Sequence, residues 1–389
     1  MLAEIYKGFS CPAEPLDAEV LDAILTAHMQ RVVDAFLDRY AGPLEQSGEG
    51  LVETLADWPS FSPSRPDVWN TAFGIAERLA KLEAGEEGSF AEPGVYGARL
   101  ALAMQAAGLP GAFESRFDKP ARLRFDRFFL PPTREISARG DGSRVLIELD
   151  GGRRGLLVRD GGWRVEHPID GAEALRQVPT GVAGERPVTF VTEEVLGDER
   201  QEGIPYPVAP ATEEVEAAWA AAFDLIGRCS PSYLRWIGRG LREIVPVAAP
   251  DGAMISGSHT QRWGEIYMTD KLAPLKLAEM LVHECSHQHY FFGCFLSRVE
   301  DGSDPTLYYS PLKKVGRPLD KILLGYHAFA NVILFYREAR EQGVETGVEE
   351  GTILPELAQL EAPLRQTHGL TELGRAIWEP LAERIAESA

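Results

Sequence analysis

Apolar residues near the start of the chain recur at helical spacing. Between positions 16 and 107 they stand three or four residues apart, as in the run from Val20 through Ile24 to Val32. Gly42-Pro43 and the Ser-Pro step within 61–66 interrupt this spacing, and both are sequences that end helices. The pattern predicts a helical N-terminal region over residues 1–118, with a helix end at Gly42-Pro43.

The pattern changes between residues 121 and 168. Short apolar or alternating runs are separated by turn sequences at 140–142, 150–152 and 160–162, which recur every ten residues. Alternation interrupted by such regular glycine-containing turns is typical of an antiparallel β meander. We assign residues 119–210 to a β-rich region, whose second half is loop-rich with one strand at 187–191.

Helical spacing returns after residue 211. Thr212 is the expected N-cap of a helix, a second helix is predicted over 233–244, and one or two strands over 253–269. An apolar helix around residue 285, a polar loop at 297–314, a long helix at 318–341 and further C-terminal helices follow. The predicted fold class is therefore α+β: a helical N-terminal third, an antiparallel β meander in the middle and a mostly helical C-terminal domain, 211–389.

The apolar helix of this last domain contains the motif His283-Glu284-Cys285-Ser286-His287, an H-E-x-x-H sequence. Residues four apart share one helix face, so the two imidazoles can bind one metal ion. Apolar residues on both sides of the motif argue against a solvated helix that carries two histidines by chance. Cys285 falls on the opposite side of the helix and is expected in the core. The strand that precedes the helix could bind an extended peptide at its edge, and His259 within it is expected to be structural.

Two histidines leave a metal site incomplete, and the sequence offers two further ligands. A metzincin is excluded, because Tyr290 and Gly293 occupy the positions where that class has glycine and histidine. A thermolysin-like zinc site would use Glu338 from the following helix. The other candidate, which we favour, is His327 in the same helix.

The helix that carries both candidates has a polar stripe along an otherwise apolar surface. Its members lie within about 40° of one another at about 100° per residue. The stripe consists of Asp320, His327, Asn331 and Glu338.

Several blocks in the C-terminal domain resemble one known family. They are residues 281–287, Tyr309-Ser310-Pro311, Arg317-Pro318-Leu319 and His327-Ala328-Phe329. Together they resemble the H-E-x-x-H domain of ribosomal peptide natural-product maturation, and are similar to 2-oxoglutarate-dependent peptide β-hydroxylases in which iron(II) occupies the site. The matching blocks span about 256–340, and the resemblance does not extend over the first 210 residues.

The resemblance implies a set of roles for individual residues. His283, His287 and His327 would bind Fe(II), leaving positions for 2-oxoglutarate and dioxygen. Arg317 would bind the distal carboxylate of 2-oxoglutarate, with Lys313 and Lys314 as second choices. Glu284 would then orient a ligand or the substrate, whereas in a zinc hydrolase it would be the catalytic general base.

Composition limits the partners and the compartment. The formal net charge of -20 opposes binding to nucleic acid or to an anionic membrane. The four cysteines form no C-x-x-C pair, which predicts free thiols in a reducing compartment. Without a secretory signal pattern or a long apolar run, the cytoplasm is the expected location.

These observations favour one function and leave two alternatives. The leading hypothesis is an iron(II)- and 2-oxoglutarate-dependent dioxygenase that hydroxylates a side-chain carbon, Cβ by preference, of a peptide substrate such as a ribosomally made precursor. The second is a zinc-dependent metallopeptidase of the H-E-x-x-H type. The third is a peptide-binding module in which the metal is only structural.

Overall fold

The structure is a computed structural model that describes residues 2–57, 69–82, 92–182, 186–193, 204, 206–250 and 253–387. It has the predicted α+β class, with N-terminal helices, a middle antiparallel sheet and a largely helical C-terminal region. Among the helices described, none combines the length and the apolarity needed to cross a bilayer.

Five helices form the N-terminal region of the described chain. They are α1 (Leu2–Lys7), α2 (Ala18–Ser47), α3 (Leu51–Ala56), α4 (Thr71–Lys81) and α5 (Pro93–Ala106). The predicted helix end at Gly42-Pro43 is wrong, because α2 runs through Pro43 to Ser47. Leu44, the next residue, is fully buried, and its packing in the core favours continuation of the helix over the break that proline would otherwise cause.

The predicted meander is confirmed as a five-stranded sheet. Its strands are β1 (Gly111–Ala121), β4 (Thr133–Gly140), β5 (Arg144–Leu149), β6 (Arg153–Arg159) and β7 (Trp163–His167), in the order β1-β4-β5-β6-β7 with every pair antiparallel. Gly142, Gly151 and Gly161 have positive φ in the three turns, which explains the ten-residue recurrence of glycine. The short strands β2 (Arg124–Phe125), β3 (Phe128–Phe129) and β8 (Glu173–Ala174) form a separate sheet.

A second five-stranded sheet positions the H-E-x-x-H helix. It comprises β9 (Gln177–Val178), β10 (Val188–Phe190), β11 (Glu243–Val247), β12 (Ser256–Ser258) and β13 (Glu265–Thr269), in the order β12-β13-β11-β10-β9. The three central strands are parallel, and the edge strands β12 and β9 are antiparallel to their neighbours. The sheet includes strands from both sides of position 210.

The remaining helices belong to the C-terminal region. They are α6 (Glu213–Cys229), α7 (Pro231–Gly240), α8 (Pro274–Cys294), α9 (Leu319–Glu341), α10 (Gly347–Gln366) and α11 (Glu372–Glu387). Thr212 caps α6 as predicted, since its side chain accepts a hydrogen bond from Val215 N–H. The helix predicted over 233–244 is wrong at its end, because α7 stops at Gly240 and the buried segment Glu243–Val247 is the central strand β11.

The predicted polar loop at 297–314 also contains regular structure. A hairpin of β14 (Tyr308–Ser310) and β15 (Val315–Arg317) precedes α9. The buried apolar side chains of all regions form one main hydrophobic core that extends from Tyr6 to Leu381. Residues near the N-terminus therefore pack against the last helices, as the hydrogen bond from Ser10 Oγ to the Ile377 carbonyl oxygen shows at 2.8 Å.

Candidate metal centre

The helix α8 holds the two motif histidines on one face. Pro274 stands in its first turn, where a missing N–H costs nothing, and the buried residues Leu277, Leu281 and Cys285 fix the opposite side in the core. The His283 and His287 rings have centroids 4.9 Å apart and are nearly perpendicular. One ligand atom from each of His283, Glu284 and His287 lies within 4.8 Å of the others. We call these three residues the metal cluster.

Both imidazoles of the metal cluster are neutral at physiological pH. Burial lowers the pKa of His283 to about 4 and that of His287 well below its usual value, because desolvation disfavours the charged ring. The Nδ1 atom of His287 has no hydrogen-bond partner within the described part of the chain. A neutral imidazole with an unused lone pair is the form that binds a metal ion.

Glu284 is the most enclosed member of the cluster, with 2% of its surface exposed. Its Oε1 atom accepts a hydrogen bond from Ser256 Oγ in the edge strand β12 at 2.6 Å. Its Oε2 atom has no partner among the described residues. Burial raises the pKa of this carboxyl to about 7, against the lowering effect of the serine hydrogen bonds. The carboxyl group can therefore hold or release a proton near neutral pH.

The structure does not include His327 in the cluster. Its Nε2 atom lies 2.9 Å and 2.8 Å from the carbonyl oxygens of Phe9 and Ser10, so this nitrogen carries the proton and donates it. Its Nδ1 atom has no hydrogen-bond partner in the described chain. Desolvation of the buried ring lowers its pKa to about 4, and the nearby His283 contributes to this lowering. Asn331 also donates to the Ser10 carbonyl, at 3.0 Å. Part of the polar stripe of α9 thus anchors the N-terminal segment.

The second candidate ligand, Glu338, lies elsewhere on α9. The hydroxyl of Ser230, between α6 and α7, donates a hydrogen bond to it, and burial raises its pKa. Among the described residues, the group of potential ligand atoms within 4.8 Å of one another consists of His283, Glu284 and His287 and does not include Glu338. The thermolysin-like ligand set is therefore not brought together in this structure. The predicted core position of Cys285 is confirmed, since its thiol is fully buried.

The hairpin β14–β15 carries the cations that the sequence singled out. Lys313, in its turn, is exposed, and its charge lowers the pKa of His283, of Glu284 and of His287. Arg317 is partly exposed on β15, and we find no ion pair or hydrogen bond to it within the described ranges. Within the described ranges, Arg317 therefore does not form an ordinary surface salt bridge. Lys314 adopts a left-handed conformation in the turn.

Two residues near the cluster were not identified from the sequence. Ser256, at the beginning of β12, binds Glu284, and Glu279, one turn before His283, raises the pKa of that histidine. The four-residue spacing from Glu279 to His283 could have indicated the second. No sequence signal indicated the first, because strand pairing brings it to the helix. His259 packs its ring against Tyr267 with a centroid distance of 5.8 Å, and it lies close enough to Glu284 to lower the pKa of that carboxyl.

Comparison with known proteins adds no further constraint. Neither a scan against protein-family models nor a search of curated proteins gives a match to this chain.

Proposed function

We propose that the protein is an iron(II)- and 2-oxoglutarate-dependent dioxygenase that hydroxylates a side-chain carbon, preferably Cβ, of a peptide. The observation that carries the proposal is the position of a cationic hairpin beside two neutral metal-binding imidazoles. Lys313 of this hairpin is close enough to affect all three residues of the metal cluster. A metal ion next to a fixed cation is the arrangement that a dicarboxylate cosubstrate requires.

The residues present fit a metal ion. His283 and His287 offer unprotonated nitrogens within 4.8 Å of each other, and an octahedral ion with open positions suits two or three imidazoles. His327 is the third ligand in this proposal. Its Nε2–H donates to backbone carbonyls while Nδ1 has no partner in the described chain, which is the usual hydrogen bonding of a metal-bound histidine. Iron, when bound, would supply the activation of dioxygen.

The cosubstrate would be oriented by the hairpin. In this proposal the distal carboxylate of 2-oxoglutarate binds to Arg317, with Lys313 as the nearer cation that attracts it. Arginine can form two parallel hydrogen bonds with a carboxylate. Neither cation has an acidic partner within the described residues, so neither would have to break an ion pair in order to bind.

The peptide would lie along the edge strand β12. This strand is hydrogen-bonded on one side only, to β13, and its Ser256 contacts Glu284. An extended peptide can add to such an edge through its backbone. Glu284 would then orient the bound substrate or a histidine, holding a proton rather than binding the metal.

The experiment is a turnover assay on anaerobically purified protein supplied with Fe(II), ascorbate, 2-oxoglutarate and candidate peptides. We expect stoichiometric iron by elemental analysis and formation of succinate that depends on the peptide, with a gain of one oxygen atom in the peptide mass. Absence of succinate with iron bound, across a peptide library, would overturn the proposal.

The composition of the chain accords with the proposed compartment and substrate class. The four cysteines are free, which accords with our proposal that the reaction occurs in the reducing cytoplasm. The net charge of -20 favours a peptide over a nucleic acid as substrate.

A zinc-dependent metallopeptidase is the second candidate, and one observation favours it. Glu284 has a pKa near 7, which suits a general base acting on metal-bound water. In that case Glu284→Gln should abolish peptide cleavage and retain zinc. Glu338 does not belong to the group that His283, Glu284 and His287 form, so Glu338→Ala should also retain zinc, and release of zinc by this variant would restore the thermolysin-like ligand set.

A further inference from the structure

A groove of about 750 Å³ lies beyond the metal cluster, at the C-terminal end of α8, and we call it the distal groove. Phe291 lines it and follows His287 by four residues, so both share one helix face. Their ring centroids are 6.4 Å apart. Thr260 and Gln261, which come shortly after the edge strand β12, form another wall. A peptide that lies along β12 and extends past its end would therefore enter the distal groove.

Arg31 of α2 brings a positive charge to the distal groove. Its Nη2 atom donates a hydrogen bond to the Phe295 carbonyl oxygen at 3.2 Å and lies 3.3 Å from His28 Nδ1. A guanidinium group can only donate, so His28 Nδ1 is the acceptor. Both acceptor atoms are uncharged, and Arg31 forms no ion pair within the part of the chain that the structure describes. Its charge therefore remains available to a ligand.

Glu77 is the one carboxylate among the described residues that line the distal groove, and other side chains already bind it. Its Oε1 atom lies 2.6 Å from Lys81 Nζ and 3.4 Å from His28 Nε2. The His28 ring thus stands between the two charges, with Nδ1 toward Arg31 and Nε2 toward Glu77. The side chain of Glu77 is only 12% exposed, whereas Arg31 is exposed. The groove therefore keeps its own acid apart from Arg31.

Apolar and aromatic side chains share the distal groove with Arg31. The His28 ring stacks on Phe295, with centroids 3.7 Å apart and planes 11° from parallel, and Val32 and Phe291 are buried in its walls. One guanidinium group beside apolar walls fits a carboxylate carried on carbon, which arginine binds through two parallel hydrogen bonds.

The position and the chemistry of the distal groove together indicate its ligand. We propose that it binds a carboxylate of the peptide substrate, at a position away from the hydroxylated residue. This inference rests on the proposed function, because it takes a peptide bound along β12 as the substrate. In a chain with a net charge of -20, an acidic peptide is otherwise repelled, so a local cation decides where its negative charge can bind.

The test is an array of synthetic random peptides, each with a free and with an amidated C-terminus, probed with the full-length protein. A chelator keeps the protein metal-free, so that binding is measured without turnover. Fluorescence anisotropy then gives dissociation constants for the best binders and for versions with Gln in place of Glu and Asn in place of Asp. We expect removal of one peptide carboxylate to weaken binding about tenfold, because one charged hydrogen-bonding group is lost. The same removal should change binding to Arg31→Gln by less than roughly twofold, because the partner is already absent.

Three further variants test the distal groove even if Arg31→Gln folds poorly. Arg31→Lys keeps the charge but loses the two parallel hydrogen bonds, and should bind with intermediate affinity. Ala35→Trp fills the groove from an exposed position in its wall and should weaken binding without a change of charge. Arg235→Gln, at an exposed position of α7 outside the groove, is the matched control and should bind as the unmodified protein does.

Each outcome decides the proposal. Affinity lost on amidation alone identifies the C-terminal carboxylate of the peptide, and affinity lost on side-chain replacement alone identifies an acidic residue; both support the distal groove. Affinity that is independent of the peptide carboxylate, or that depends on it equally in Arg31→Gln, would overturn it, as would the absence of any binding peptide. Binding through Arg31 without hydroxylation in the turnover assay would contradict the proposed function and leave the groove. Hydroxylation of peptides whose affinity Arg31→Gln does not change would do the reverse.

Discussion

The metal cluster and the distal groove are both polar, but the fold favours uncharged groups in one and a charged group in the other. In the metal cluster, burial keeps His283 and His287 neutral and raises the pKa of Glu284 to about 7. In the groove, the guanidinium group of Arg31 remains charged, because arginine does not deprotonate in proteins, and it is placed against a carbonyl oxygen and an imidazole nitrogen. A site for a cation needs neutral lone pairs, whereas a site for an anion needs permanent positive charge.

Removal of one imidazole of the metal cluster should change metal binding more than any other substitution considered. We predict that His283→Ala lowers metal affinity more than about 100-fold, beyond the range for groups that only support a ligand, and abolishes turnover. Peptide binding at the distal groove of the metal-free protein should be unaffected, which tests the separation of the two sites. The exposed His368 provides the control His368→Ala, which should keep full metal content. Metal retention by His283→Ala, measured by elemental analysis after dialysis, would contradict the assignment.

The second prediction asks whether His327 belongs with the cluster or with the polar stripe. As a metal ligand, His327→Ala should lower metal affinity by at least about 10-fold. Asn331→Ala removes a hydrogen bond to the same Ser10 carbonyl and should cost about 1–3 kcal/mol of stability without changing metal affinity. Equal metal affinity in both variants would make His327 a purely structural residue.

A third prediction uses the opposite pKa shifts within the metal cluster. Because the pKa of Glu284 rises from 4.5 to about 7 on folding, the contribution of Glu284 to the stability of the metal-free protein is lost as the pH rises from 4.5 to 7. Glu284→Gln removes this loss. The unfolding free energy of the variant, minus that of the unmodified protein, should therefore rise by at most roughly 3 kcal/mol between pH 4 and pH 8.

The cluster histidines contribute to stability with the opposite pH dependence. The pKa of His283 falls from 6.5 to about 4 on folding, so its contribution is present above pH 6.5 and is lost as the pH falls toward 4. Both proteins of the previous comparison contain the histidines, and the difference in their unfolding free energies therefore isolates Glu284. Chemical denaturation in the presence of a chelator at several pH values measures it, and a difference that is independent of pH would contradict a buried carboxyl.

The fourth prediction concerns the hairpin cations. We expect Arg317→Gln and Lys313→Gln each to raise the KM for 2-oxoglutarate about 10-fold with a smaller effect on kcat, because the loss is one charged hydrogen bond in a partly exposed site. Lys314→Gln in the same turn is the matched control and should behave as the unmodified protein. Identical KM values for all three variants would separate the hairpin from the cosubstrate site.

The weakest of these effects is the dependence of ligand affinity on salt concentration, which should differ between the two regions. Peptide binding to the distal groove should weaken several-fold as the salt concentration rises from about 0.05 M to about 0.5 M, since partly open charges are screened. Metal binding to neutral imidazoles should change much less over the same range. Titrations at the two salt concentrations measure both, and equal salt dependence would remove the contrast.

The elements that the sequence predicted well are those with a strong local signal. The meander followed from glycines that adopt positive φ in its turns, such as Gly151, and helix α6 began at its capping residue Thr212. The errors lie where packing overrides local preference. Pro43 is tolerated because Leu44 is buried, and the segment beginning at Glu243 becomes a strand because it pairs on both sides in the sheet.

That His283 and His287 share a helix face follows from the amino-acid sequence alone, because helical periodicity depends only on spacing along the chain. Their surroundings come from long-range packing, which brings Ser256 to Glu284, Phe9 and Ser10 to His327, and Lys313 near the cluster. The distal groove has no local motif at all, since its residues come from segments far apart in the chain. Contacts of that kind follow from the packing of the core, which no short stretch of sequence encodes.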